Sequence, residues 1–224
     1  MSRGRLLVFE GMEGVGKSTQ LRRLSAALAR AGLPVLTVRE PGETPVGETI
    51  RRLLLDPAAE IAARTEALLF MASRAELVQR TVRPALEGGT TVIADRFFLS
   101  TYAYQVAGRG LPESDVRAAN RLATDSLVPD LTLLLALPMT TGLARAAARG
   151  GRDRMELAGE GFLQRTAQAF ELFASGDWQE EHPEAGPIER VDAAGAEAEV
   201  FARVSGAIGR RWPELASALA PVAA

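Results

Sequence analysis

The 224-residue chain has no cysteine. That excludes disulfides, zinc–thiolate centres and a thiol nucleophile. It has no long apolar run: residues 67–72 and 133–137 are each too short to cross a bilayer, which takes about 20 apolar residues. The stretch from Met1 to Glu10 is likewise too short for a signal sequence or a membrane span. A cytoplasmic protein that engages no membrane is the expectation. An excess of positive charge is also missing. The formal net charge of -2 argues against broad nucleic-acid binding, which needs a basic face. Asparagine occurs once, at Asn120, and lysine once, at Lys17. No guanine-reading Asn-Lys-x-Asp can therefore be present, so a GTPase is excluded.

That single lysine lies in Gly11-Met12-Glu13-Gly14-Val15-Gly16-Lys17-Ser18, which fits the phosphate-wrapping P-loop G-x-x-x-x-G-K-[ST]. All other basic residues are arginine. A compact ammonium fits between β- and γ-phosphates inside a ring of backbone N–H groups, where a planar guanidinium does not. A chance lysine in a glycine-rich turn is the alternative, and the flanking residues speak against it.

Strand-like and helix-like patterns alternate along the chain. Residues 6–9, 35–38, 91–94, 131–137 and 188–191 read as strands. Helices are expected from 17 to 31, where Leu21, Leu24 and Leu28 share a face, and through Ile50 and Leu54. Further helices are expected over 64–86 with a break near Pro84, and over 100–106, 113–126, 141–149, 161–174 and 200–212. This alternation implies an α/β, three-layer architecture with a five-stranded parallel sheet between helices. Length and composition suit a single domain over residues 1–214, with a short lid at about 149–158 and a frayed tail at 215–224. Ligands of such sheets bind at the carboxyl ends of the strands. There the P-loop, Arg39-Glu40-Pro41 and Asp95-Arg96 converge.

The P-loop supplies N–H groups and a helix N-terminus for phosphate oxygens. Lys17 is expected to follow the charge during transfer, and Ser18 to ligate Mg²⁺. Asp95, at the end of an apolar strand, is expected to hold Mg²⁺ directly or through water, although a strand-end aspartate also serves as a helix cap. The size of the chain and its arginines (Arg39, Arg51, Arg74, Arg96 and the cluster Arg145, Arg149, Arg152, Arg154) point to a small kinase. Bidentate guanidinium contacts suit phosphate, though each arginine alone also fits a solvated surface charge.

Several motifs together resemble the bacterial thymidylate kinases. They are Phe9-Glu10-Gly11 through Ser18-Thr19-Gln20; Arg39-Glu40-Pro41-Gly42 with Thr44; Leu69-Phe70-Met71-Ala72-Ser73-Arg74; Arg83-Pro84; Asp95-Arg96 with Ser100 and Ala103-Tyr104-Gln105; Gly108-Arg109-Gly110; and Asp153-Arg154-Met155-Glu156. The resemblance implies a P-loop nucleoside-monophosphate-kinase fold. It also implies transfer of the ATP γ-phosphate to dTMP with Mg²⁺, giving dTDP and ADP for dTTP synthesis and DNA replication, and a homodimer packed through central helices. Gly11, Met12, Glu13, Gly14, Val15, Gly16, Lys17, Ser18 and Thr19 are then the ATP site. Glu13 is implied to meet the deoxyribose 3′-hydroxyl, Phe70 to stack on thymine and Arg74 to donate to a thymine carbonyl. Ser100, Thr101, Tyr104 and Gln105 complete the base and sugar wall. Arg39, Arg51 and Arg96 clamp the acceptor phosphate, with Glu40 and Pro41 in the supporting loop.

Because the P-loop has no arginine, the resemblance assigns the compensating charge to the lid, from Arg149, Arg152 or Arg154. Phe70, read without the family pattern, is a core aromatic. The sequence departs from the pattern at Glu43, where glycine is usual, and at Phe97, Leu99, Thr101 and Val106. Leu99 and Val106 are expected to make the rim of the pocket more apolar. Two rivals remain at this level: a kinase for another monophosphate, and a P-loop module that binds nucleotide without transfer.

Overall fold

The most apolar runs form the interior of a parallel sheet in the computed structural model, which describes residues 3–148, 150 and 153–220. Strands β1 (Leu6–Glu10), β3 (Thr91–Asp95) and β4 (Leu131–Ala136) are buried almost throughout, as strands covered on both faces must be. Strands β2 (Val35–Arg39) and β5 (Ile188–Asp192) are partly exposed and lie at the edges. The order is β2-β3-β1-β4-β5, with every pairing parallel. β1 thus sits between β3 and β4, and its carboxyl end opens into the crevice where such sheets bind ligands.

Helix α1 (Lys17–Arg30) buries Leu21, Leu24, Ala27 and Leu28 along one stripe. It packs with α10 (Glu197–Arg211). Helix α2 (Pro45–Leu55) starts where its composition says it should. The Thr44 side chain accepts from Gly47 N, and Pro45 occupies the first turn, where no N–H is needed. α2 packs on α3 (Ala63–Leu77), which also packs on α6 (Glu113–Thr124).

The long helical stretch is irregular at a place the sequence did not indicate. A π-turn at Val78–Val82 precedes α4 (Arg83–Glu87), and Pro84 falls in the first turn of that segment rather than breaking it. A second π-turn, Tyr102–Gly108, extends α5 (Phe98–Thr101) and packs on α8 (Glu160–Leu172). Such turns re-aim side chains and recur at functional sites.

Helix α7 (Met139–Ala147) follows β4. The short α9 (Gly176–Glu181) was not expected. Six residues are too few to show a period, and it is held by the Ser175 cap and the buried Trp178. The segment expected to fray from 215 onward is ordered through a turn at Pro213–Leu215 and α11 (Ala216–Leu219). Leu215 and Leu219, one helical turn apart, are both buried and pack into the core. Residues 221–224 lie outside the described residues.

Glu43, the residue in a glycine position, has φ 68, in the left-handed region that a Cβ disfavours. Its backbone N–H donates to Glu48 Oε1 at 2.8 Å. Substituting both ways isolates the backbone contribution from the side chain's exposed contacts. Glu43→Gly should be more stable than Glu43→Ala by about 1 kcal/mol, measured by urea denaturation.

Candidate active site

The P-loop owes its path to glycines at positive φ, with Gly14 at φ 74 and Gly16 at φ 96. At Gly14 the constraint is also steric. A Cβ there would lie 1.9 Å from Gly142 O in the first turns of α7, so the loop apex and α7 meet backbone to backbone. α1 begins at Lys17 and has no acidic residue in its first turn, leaving its N-terminal N–H groups and dipole available to anions.

Lys17 is buried, and its Nζ donates to the carbonyls of Gly11 (2.9 Å) and Met12 (2.8 Å). Burial, and after it the nearby Arg96 cation, pull its ammonium from 10.5 down to about 8. Ser18 Oγ donates to Asp95 Oδ2 at 2.8 Å across the cleft. Asp95 is therefore not the cap of the next helix. That task falls to Glu10, a buried residue the sequence reading passed over as a strand end. Glu10 Oε1 accepts from the N–H groups of Phe97 (2.7 Å) and Ser100 (3.0 Å), and Oε2 accepts from Ser100 Oγ at 2.7 Å.

Arg96 has φ 76, an orientation that turns its side chain back over the P-loop. Its guanidinium donates to Gly11 O (3.2 Å), Ser100 Oγ (2.8 Å) and Tyr104 Oη (3.3 Å), and pairs with Glu13. It also lies 5.2 Å from the Tyr104 ring centroid. Burial works against its charge, but Glu13 and the other nearby anionic groups outweigh it and raise the arginine's pKa further. Burial likewise pushes up the Tyr104 phenol, which stays neutral.

On the β2 side, Arg39 pairs with Glu48 (2.9 Å) and Glu43 (3.3 Å), and Arg51 donates to Pro41 O at 2.8 Å. Glu40 is buried against Arg74 at 2.6 Å. Burial raises its carboxyl above the usual range, and Arg74 opposes that shift. Phe70 is half-buried and faces the cleft instead of joining the core. Arg74 stands on the same face of α3, one turn later. Its donors are already engaged: Nε with Glu40 (2.6 Å), Nη1 with Thr101 Oγ1 (2.8 Å) and the Asn120 side-chain oxygen, and Nη2 with Phe97 O (2.8 Å). Arg74 borders the cleft, but as the centre of a protein network rather than as a free donor. Any contact to a base edge must be shared with these acceptors.

These groups line one cleft of about 340 Å³. Its walls include Glu13, Lys17, Ser18, Arg39, Glu40, Pro41, Arg51, Phe70, Arg74, Asp95, Arg96, Ser100, Thr101, Tyr104 and Gln105. Thr19 borders it as well, whereas Met12 and Val15 turn their side chains into the core. Leu55, Asp153 and Met155 also line it, and the sequence reading had not singled these three out as cleft residues. Leu99 and Val106 do not form the rim. Leu99 is in the core and Val106 packs against it, because the helical turn at 98–108 points them inward.

Arg154, one of the three expected lid arginines, is engaged within the protein. It is buried, its Nη1 is 2.7 Å from Glu66 Oε2 and its Nε donates to Leu54 O at 2.8 Å. The fully buried Glu66 carboxylate requires cationic partners, and Arg154 is one of them. Arg149 and Arg152 lie outside the described residues. Glu66 and Asn120 belong to none of the motifs and Glu10 stands in one only as a flank of the P-loop, so their roles emerge from burial and pairing. Among the described residues, no cluster of three or more His, Asp or Glu side chains stands ready to cage a metal. Ser18 and Asp95 offer two hard oxygen donors that suit a cation shared with phosphate oxygens.

The depressed Lys17 ammonium has a thermodynamic consequence. Between about pH 8 and 10.5 the unfolded chain holds this proton more tightly than the folded protein does. Without nucleotide, stability should therefore rise over that interval. In Lys17→Met this component of the rise should vanish, as read from urea midpoints of the two proteins across the pH series.

Comparison with known proteins agrees with the geometry. Residues 9–193 match the family described as thymidylate kinase. A thymidylate kinase of Deinococcus radiodurans is 45% identical over 211 residues, covering 94% of this chain and 99% of that protein. One from Pseudomonas fluorescens is 49% identical over 168 residues, covering 75% and 80% respectively. The crystal structure of thymidylate kinase from Ehrlichia chaffeensis superposes with a TM-score of 0.72 at 26% identity, over 92% of this chain and 98% of that one. Alike in fold, motif order and sequence, this chain belongs to the thymidylate kinase family.

Proposed function

We propose that the protein transfers the γ-phosphate of ATP to dTMP, producing dTDP and ADP for dTTP synthesis and DNA replication. The observation that carries this reading is the single cleft in which a P-loop and an aromatic-walled pocket face each other across Arg39, Arg51 and Arg96. A nucleotide-binding module needs the first wall only. A kinase whose acceptor is a nucleotide needs both.

The acceptor phosphate is already an anionic nucleophile, so no general base is required. Catalysis is alignment and charge neutralisation. The P-loop amides and α1 hold the donor phosphates while Lys17 follows the migrating charge. Arg39, Arg51 and Arg96 draw in the acceptor phosphate. Glu13 is paired with Arg96 and Tyr104. An arriving phosphate competes for Arg96, and the deoxyribose 3′-hydroxyl takes up the carboxylate. Phe70 stacks on thymine, with Thr101, Tyr104, Gln105 and the Arg74 network closing the base wall. Ser18 and Asp95 would hold Mg²⁺, which would supply positive charge to offset that of the phosphates. With Arg154 committed to Glu66, Arg149 and Arg152 remain as the lid arginines that complete the charge around the phosphates. Two copies would pack through the central helices, where Leu68 and Leu122 are exposed. The absence of a helix long and apolar enough to cross a membrane, among the described residues, is compatible with action in the cytoplasm.

Lys17→Ala should lower turnover at least about 100-fold with the fold intact, measured by coupled ADP release and circular dichroism. Phe70→Ala should raise KM for dTMP roughly tenfold, as expected for one lost base–aromatic stack. A panel of dTMP, dUMP, dCMP and dGMP tests the acceptor directly. Equal rates with dTMP and dCMP would overturn the thymine assignment.

A further inference from the structure

Glu66 has no part in the chemistry above, yet its carboxylate is fully buried and draws three donors from two separate parts of the chain. Gln105 Nε2 donates to Oε1 at 3.0 Å. Arg109 makes a two-pronged contact, Nε to Oε1 at 3.1 Å and Nη2 to Oε2 at 2.8 Å. Arg154 Nη1 lies 2.7 Å from Oε2. The hydrogen bonds from Arg109, Gln105 and Arg154 outweigh the effect of burial and hold the carboxyl below its usual range, so it is an anion at neutral pH.

Each partner leads somewhere different. Gln105 lines the cleft and lies in the π-turn that also presents Tyr104. Arg109 closes that turn and lies 4.5 Å from the Phe162 ring centroid on α8. Arg154 lies within the segment expected to form the lid. Its neighbour Asp153 lines the cleft and accepts from the N–H groups of Met155 (2.9 Å) and Glu156 (3.0 Å). Glu66 itself sits one helical turn before Phe70 and two before Arg74, on the same face of α3.

We propose that Glu66 is a positioning residue that couples the acceptor-nucleotide pocket to the base of the lid. It accepts a hydrogen bond from the Gln105 amide N–H and so fixes which branch of that amide is free for the base. It holds the lid segment at Arg154 against α2 and α3. This rests on the dTMP kinase reading. An amide whose nitrogen is committed to a carboxylate has its oxygen on the opposite branch. An oxygen accepts the N3–H that thymine carries and cytosine lacks. Releasing the amide lets it present either branch and weakens that distinction. Arg154 is not itself a wall of the cleft, so its removal acts on dTMP indirectly, through Glu66 or through Leu55, Asp153 and Met155, and a matching shift in Glu66→Gln singles out the Glu66 route.

The test uses two variants of the full chain, with steady-state kinetics for both substrates and thermal melts. Glu66→Gln should raise KM for dTMP about tenfold or more, lower the preference for dTMP over dCMP, and leave KM for ATP within about twofold. Arg154→Met keeps the Arg109–Glu66 contact and the aliphatic stem, so it decides the matter if Glu66→Gln fails to fold. It should raise KM for dTMP in the same direction, by roughly threefold, with ATP again little changed. Two results overturn the proposal: a KM for dTMP that stays at the wild-type value in the folded variants, or equal losses toward both substrates that track a fall in melting temperature, as a packing role alone would give. Failure of the wild-type protein to phosphorylate dTMP would instead overturn the underlying kinase assignment, so the two failures are distinguishable.

Discussion

Like charges held close together in a half-buried cleft repel, and the rest of this site is arranged around meeting that repulsion. Lys17, Arg39, Arg51, Arg74 and Arg96 all border one cleft. Each is given an acceptor from the protein itself: carbonyls for Lys17 and Arg51, and carboxylates for Arg39, Arg74 and Arg96. The acceptors differ in strength. Lys17 donates to two neutral carbonyls, and burial, followed by the Arg96 cation, loosens its proton. Arg74 has a buried carboxylate and several neutral oxygens, and it is fixed. A cation held by neutral carbonyls exchanges them for phosphate more readily than one held by a buried carboxylate and several further acceptors. Strength of local pairing thus separates Lys17 from Arg74, and Arg39 and Arg96, whose carboxylate partners are partly exposed, lie between them.

The same criterion explains why Glu10 and Glu66 matter although they touch no reacting atom. Glu10 organises the first turn after β3, and with it the placement of Arg96 and Ser100. Glu66 does the corresponding work for the π-turn at Tyr102–Gly108. Buried carboxylates are costly unless several donors converge on them, and that convergence gives each a single geometry.

Much of this was legible in the sequence. The central strands were readable because runs such as Leu131-Thr132-Leu133-Leu134-Leu135 are buried on both faces and tolerate few polar residues. The P-loop was readable because its conformation demands glycine at fixed spacing. The carboxyl-edge residues followed once the parallel order was inferred. Pairings between segments distant along the chain were not readable. Arg154 looked like a free lid cation because nothing local to it shows that Glu66 is its partner, and Arg74 looked like a free donor because Glu40, Thr101 and Asn120 reach it from three other elements. The π-turns were also hidden, since a helix that changes register for one turn keeps its composition. Leu99 and Val106 were expected at the rim because they depart from the family pattern beside cleft residues, and only the packing shows that both turn toward the core.

The meeting of Gly14 with Gly142 has a consequence for how such a site can change over generations. Where two side chains touch, a loss on one is open to repair by a gain on the other. Here the touching atoms are main chain, with a Cβ at position 142 falling 2.6 Å from Glu13 O and one at position 14 closer still to Gly142 O. Neither residue has anything to trade, so no second substitution at the partner restores the first. Positions 14 and 142 form a mutational dead end, a fixed point about which the rest of the nucleotide site is free to diversify.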